Sequence, residues 1–179
     1  VFQGEENIVF YNVSADETYD ASELEGTSGN REGTPLQMPI PTDEETGTYD
    51  ANGPGEGSNG FSVTVVEPRI TTAEVQLNGD DVDQIASSRA TTDSDATNSF
   101  EAFAEFNFEE AEGLTIEVQD PSGADITSEV LADSATDEIS SDGGIPLDLS
   151  GEDAGEYTVI FEGANNLDYS GVVEEYTFE

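Results

Sequence analysis

The chain has no cysteine, lysine, histidine or tryptophan, and its only cationic side chains are Arg31, Arg69 and Arg89. Each absence removes a class of chemistry. Without His, Cys or Lys, the Ser-His-Asp, Cys-His and Ser-Lys nucleophile systems cannot be built, nor can a Schiff base. Without Cys there is no disulfide or thiolate, and the redox compartment is not readable. No Gly-rich phosphate loop occurs. No stretch approaches the roughly 20 apolar residues of a membrane span. No signal-peptide pattern opens at Val1, although a processed secreted protein would read the same way. Paired carboxylates could in principle cleave a glycosidic bond. Among so many acids such pairs arise by chance, and nothing marks one as buried. The expectation is a protein that is not an enzyme.

What is abundant is negative charge. Asp and Glu number 42, giving a net charge of −39 on 179 residues. Such a charge strains a compact state through self-repulsion. Salt at about 1 M shortens the Debye length to about 3 Å and screens most of that repulsion. The composition therefore suits molar salt and points to a halophile. An acidic disordered tail is the alternative, but nine Phe, six Tyr and clear alternation argue against it. Nucleic acid and anionic membrane surfaces would be repelled, and cations attracted.

Short β-branched and aromatic runs recur between Gly, Asn, Asp and Ser, with no sustained 3.6-residue period, which predicts an all-β fold. In the stretch Leu147–Gly163 a strand (Ile145 to Leu149) enters a polar corner. Tyr157 then starts a second strand, with Val159 and Phe161 on the same face. This order matches the tyrosine corner of immunoglobulin-like sandwiches, where the ring is buried and the hydroxyl bonds back to the corner backbone. Gly155 is expected to serve the corner through positive φ. Pro35–Pro41, an acidic turn and Gly47-Thr48-Tyr49 repeat the pattern. The repeat predicts two tandem immunoglobulin-like β-sandwich domains, 1–67 and 68–179, with Pro68 stiffening the junction.

Ile8 to Val13 reads as a strand with Val9, Tyr11 and Val13 on one face. Pro35 to Pro41 reads as at most an edge strand, because proline lacks a ladder donor. Asn78-Gly79 signals a tight hairpin. Phe100, Ala102, Ala104, Phe106 and Phe108 share one face of a long strand, and Leu114, Ile116 and Val118 follow. Asp120-Pro-Ser-Gly123 reads as a type I turn, and Ile126 to Leu131 as a strand.

Three candidate sites stand out. Asn12-Val13-Ser14 is an N-glycosylation sequon, with Asp16 and Glu17 nearby to keep it exposed. Asp80, Asp81 and Asp83 gather hard oxygen ligands after the hairpin turn, suited to Ca²⁺ or Mg²⁺. Asp120 and Asp125 bracket a second tight turn. Acidic loops in a halophile are ordinarily solvated surface, which weighs against both acidic clusters.

The opening Val1-Phe-Gln-Gly-Glu-Glu6, the run Pro35-Leu-Gln-Met-Pro-Ile-Pro41, Gly47-Thr-Tyr-Asp50, Leu114 to Val130, Asp153-Ala-Gly-Glu-Tyr157 and Glu162-Gly163 resemble, in order, the amino-terminal part of haloarchaeal surface-layer glycoproteins. The resemblance implies strings of immunoglobulin-like domains assembled with copies of themselves into a hexagonal extracellular coat. It also implies N-glycans, with Asn12 at the amino-terminal glycan site, and associated divalent cations. Family members continue to a Thr-rich stalk and a membrane anchor. Neither lies within these residues, so no membrane insertion is expected of this segment. The competing reading is a binding or decoration module, an adhesin or a virion or filament surface protein, that uses loops at one sandwich end.

Overall fold

A computed structural model describes residues 1–52, 60–82, 100–109, 112–131, 136–163 and 173–178. Its strands pair antiparallel, and it divides into two compact units, Val1–Pro68 and Arg69–Glu179. Among the described residues no helix is long and apolar enough to cross a membrane.

In the first unit β1 (Phe10–Asn12) and β2 (Glu17–Tyr19) form a separate ribbon in which Tyr11 faces Thr18. β3 (Glu25–Gly26), β4 (Gly47–Asp50) and β5 (Ser62–Val65) make a three-stranded sheet. The first three residues lie along β5: the Gln3 amide donates to Val66 and the Val66 amide to Val1. Phe10, Leu24, Leu36, Ile40, Tyr49 and Val65 form the buried cluster. Tyr19 stacks on Phe61 with ring centres 5.2 Å apart, which seats the ribbon on the unit. The proline-rich run is not an edge strand. It meets β3 only through the Glu25–Pro35 bridge, buries Leu36 and Ile40, and borders a cavity of about 400 Å³ with Ile8 and Tyr19. Its prolines supply no amide for a ladder, so its apolar side chains serve the core instead.

The second unit holds two four-stranded sheets. One runs β11 (Gly143–Leu147), β8 (Phe100–Phe106), β6 (Ile70–Leu77), β7 (Asp80–Asp81). The other runs β10 (Glu138–Ile139), β9 (Leu114–Gln119), β12 (Tyr157–Gly163), β13 (Val173–Phe178). Alternation does the work: β8 buries Phe100, Ala102, Ala104 and Phe106, β9 buries Leu114, Ile116 and Val118, and β12 buries Tyr157, Val159 and Phe161. Phe100 of the first sheet meets Phe178 of the second at 6.1 Å between ring centres. Leu77 pairs with Asp80 across Asn78 (φ 58°) and Gly79 (φ 87°), the two left-handed residues a type I′ hairpin requires.

Residues 126 to 131 are not a strand. Thr127–Val130 is a single helical turn, α1. Asp125 Oδ1 accepts the Thr127 amide at 2.9 Å and its hydroxyl at 2.6 Å, and the same hydroxyl accepts the Val118 amide at 2.8 Å. These side-chain bonds draw the backbone out of extended geometry.

Candidate functional site

The two tyrosines singled out in the sequence occupy equivalent positions. Tyr157 begins β12 and donates its hydroxyl to the carbonyl of Asp153, four residues back. Tyr49, within β4, shares its hydroxyl proton between the Glu45 carbonyl, also four residues back, at 3.0 Å and Glu44 Oε1 at 2.7 Å. Both rings are buried. Gly155 does not supply positive φ; in that corner Gly151 does, at 111°. Gly155 is small for a different reason: a Cβ there would lie 2.6 Å from Pro121 Cγ.

Around Tyr49 lies a group that periodicity could not reveal. Glu44 is 2% exposed, and its Oε1 also takes Arg31 Nε at 3.1 Å. Oε2 is buried with no hydrogen-bond partner among the described residues. The only signal available in the sequence was indirect: Arg31 is one of three cations, and Glu44 sits five residues before a tyrosine. Burial, followed by the bond to Glu44, raises the Tyr49 pKa. A phenol whose folded pKa is raised contributes stability below its ordinary value near 10, and that contribution is lost as pH climbs through the folded value. Thermal melts in molar salt are therefore expected to show a stability plateau up to about pH 10 and a fall above it. A midpoint rising above that pH would oppose this assignment.

The sequon occupies the tip of the β1–β2 ribbon. Asn12 is half-buried at the strand end, and its Oδ1 accepts the amides of Ser14 at 3.0 Å and Ala15 at 3.3 Å. Val13 and Ser14 are exposed, and Asp16 is left-handed at φ 56°. Tyr11 donates to Asp16 across the tip, and Tyr19 donates to Glu17 at 2.9 Å. Those carboxylate bonds raise both phenol pKa values.

Of the acidic candidates, Asp80 and Asp81 form β7, and Asp81 Oδ1 accepts the Tyr176 hydroxyl at 2.5 Å. Asp83 lies outside the described residues. Among those described, no group of three acidic ligands gathers as a metal site would require. Asp120 and Asp125 are each committed to their own turn. Asp120 Oδ1 accepts the Ser122 hydroxyl at 2.7 Å and the amides of Ser122 and Ala124 at 2.8 Å. These bonds, that of Ser122 first, lower its pKa, as the Thr127 hydroxyl does for Asp125. The turns are thus strongest above the ordinary aspartate range and weaken as pH falls through the lowered values.

No family model matches the chain. It is 35% identical over 183 residues to the cell surface glycoprotein of Halobacterium salinarum, covering 97% of this chain and 21% of that protein. It is 36% identical over 201 residues to the cell surface glycoprotein of Haloarcula japonica, covering 100% of this chain and 22% of that one. The corresponding protein of Haloarcula marismortui is 36% identical over 191 residues, covering 99% and 21%. The chain thus spans about a fifth of the length of the curated relatives it matches. By sequence, along nearly all of its residues, this chain is a relative of the haloarchaeal cell surface glycoproteins.

Proposed function

We propose that this chain is a structural, non-enzymatic part of a haloarchaeal surface-layer glycoprotein. It acts outside the cell, in a hexagonal coat built from copies of one protein. The observation that carries this reading is the similarity, over 97 to 100% of the chain, to cell surface glycoproteins of three haloarchaea. The composition supports it independently, since a body of −39 tolerates identical neighbours only in dense electrolyte.

The second unit supports an immunoglobulin-like reading. With β7 set aside as the short return of a hairpin, its first, second and fifth strands (β6, β8, β11) share a sheet. Its third, sixth and seventh strands (β9, β12, β13) share the other. That partition, and a tyrosine opening the sixth strand, are features shared with the immunoglobulin sandwich and support this reading. β10 lies beside the third strand rather than the fifth. The first unit carries the same tyrosine bond on five short strands.

Asn12 then carries an N-linked glycan at the ribbon tip, and Ca²⁺ or Mg²⁺ bridges carboxylates of neighbouring copies, Asp80, Asp81 and Asp83 among the candidate ligands. Electron images of native envelopes test the reading. A six-fold sheet that loses order when divalent ions are chelated in molar salt is expected. Isolated protomers on another scaffold would overturn the coat. A sheet indifferent to chelator would overturn the role given to the cations.

A further inference from the structure

We infer that the cavity between the β1–β2 ribbon and the proline-rich run seats the first sugars of the glycan carried by Asn12 of the same chain. The inference rests on the reading of Asn12 as a glycan site and says where that glycan lies.

Asn12-Val13-Ser14 is the one sequon in the sequence. In the ribbon ladder Asn12 faces Glu17 and Phe10 faces Tyr19. Alternation puts these four side chains on one face. Phe10 is 3% exposed, so that face is the one turned to the body of the unit, while Tyr11 and Thr18 stand on the outer one. Asn12 and Tyr19 are diagonal neighbours on the inner face, with Cα atoms about 7–8 Å apart. Glu17 raises the Tyr19 pKa, and the Asn12 side chain is near enough to the same hydroxyl to oppose it. Asn12 Oδ1 is held by the amides of Ser14 and Ala15, which leaves Nδ2, the atom that takes the sugar. A glycan on Asn12 therefore starts beside Tyr19, on the sheltered side of the ribbon.

Tyr19 also borders the cavity of about 400 Å³. The floor of that cavity is apolar: Ile8, Tyr19 and Met38 are half-buried and Leu36 is buried. Phe61 stacks on one face of the Tyr19 ring and holds it in place. The rim is polar and exposed, with the carboxylate of Asp20, the hydroxyl of Ser22 and the amide of Gln37. A pyranose matches that division. Its C–H face buries apolar area on the floor, and its hydroxyls bond the rim. Other occupants fit less well. No cationic residue lines the cavity, so an anion finds no counter-charge. One carboxylate falls short of the roughly six to eight oxygens that Ca²⁺ takes. A wholly apolar ligand would cover the rim without bonding it. The covalent tether supplies the rest. A sugar linked to Asn12 meets the cavity at high effective concentration, so contacts too weak to hold a free sugar suffice.

Chain purified from haloarchaeal cells that glycosylate it, kept in molar salt, tests the seat. Mass spectrometry of the Asn12 peptide shows whether the glycan is present. Ser14→Ala removes the sequon and keeps Asn12 with both of its backbone-amide partners. Relative to that variant, the glycosylated chain is expected to exchange the Ser22, Gln37 and Met38 amides about threefold or more slowly, with the second unit unchanged. Ser22→Ala combined with Gln37→Ala, both at exposed positions, keeps the glycan and is expected to lose most of that difference. Slowing confined to residues 13–16, or none at all, in a chain that carries the glycan overturns the seat and leaves the glycan standing. Slowing that grows with protein concentration assigns the sugar to a neighbouring copy and overturns a seat within one chain. A bare Asn12 in the native protein overturns the glycan, and the seat falls with it.

Discussion

Transfer from molar salt to about 0.01 M salt is expected to cost the chain more than half of its β circular-dichroism signal, reversibly. The first unit makes the reason countable. It holds fourteen acidic residues and one arginine, Arg31, hence a net 14 − 1 = 13 negative charges. Two charges about 15 Å apart in water repel by about 0.3 kcal/mol, and over all pairs of thirteen this reaches roughly 20 kcal/mol. Unfolding about doubles the radius of so small a body and relieves about half of it. A domain of this length is stable by roughly 3–10 kcal/mol, so the relief is as large as the stability. At 0.01 M the Debye length of about 30 Å lets every charge in the unit feel every other; at 1 M it is about 3 Å. A signal unchanged between the two salts would oppose this arithmetic.

Arg31→Met is expected to destabilise the first unit by about 3 kcal/mol even in molar salt. Removal of the guanidinium leaves Glu44, 2% exposed, with one buried oxygen unpartnered and the other held by Tyr49 alone. Breaking one side of a buried pair is costly because the remaining charge stays desolvated. Burial also shields the Glu44 carboxylate from bulk ions, so salt does not rescue it as it rescues surface repulsion. The double variant Arg31→Met with Glu44→Leu is expected to recover most of the loss. In that variant Tyr49 keeps its bond to the Glu45 carbonyl, 3.0 Å away. Hydrogen exchange at the Tyr49 and Val65 amides, across a double-mutant cycle, reads the coupling. Additive single losses would mean that Arg31 is merely a solvated cation.

These two predictions differ in how far the sequence alone foretold them. Total charge, the alternation of β8, the Asn78-Gly79 hairpin and the two tyrosine bonds all depend on local pattern, and local pattern is what a sequence displays. The helical turn at Thr127–Val130 was hidden, because apolar Ile126, Val130 and Leu131 suit a strand until Asp125 captures the Thr127 amide. The role of Gly155 was hidden because it depends on Pro121, distant in sequence. Glu44 lies between Asp43 and Glu45 and is chemically like both. Only the fold decides that Asp43 is exposed while Glu44 is buried against an arginine thirteen residues earlier. The candidate sites divide in the same way. The sequon and the acidic turns were legible as motifs. Val9, Tyr11 and Val13 were legible as one alternating set, but that this set, and not Ile8 and Phe10, would meet solvent was not.

The central claim is that negative charge, rather than a general need for salt, sets whether the chain folds. Acid titration in about 0.01 M salt tests it most directly, because protons remove the charge without adding electrolyte. Between pH 7 and about pH 4.5 the account predicts that the β signal returns as carboxylates begin to neutralise. Below the ordinary aspartate range it predicts a local weakening of the Asp120 and Asp125 turns, whose lowered carboxyls are protonated last. A signal that stays absent through that first interval would contradict it.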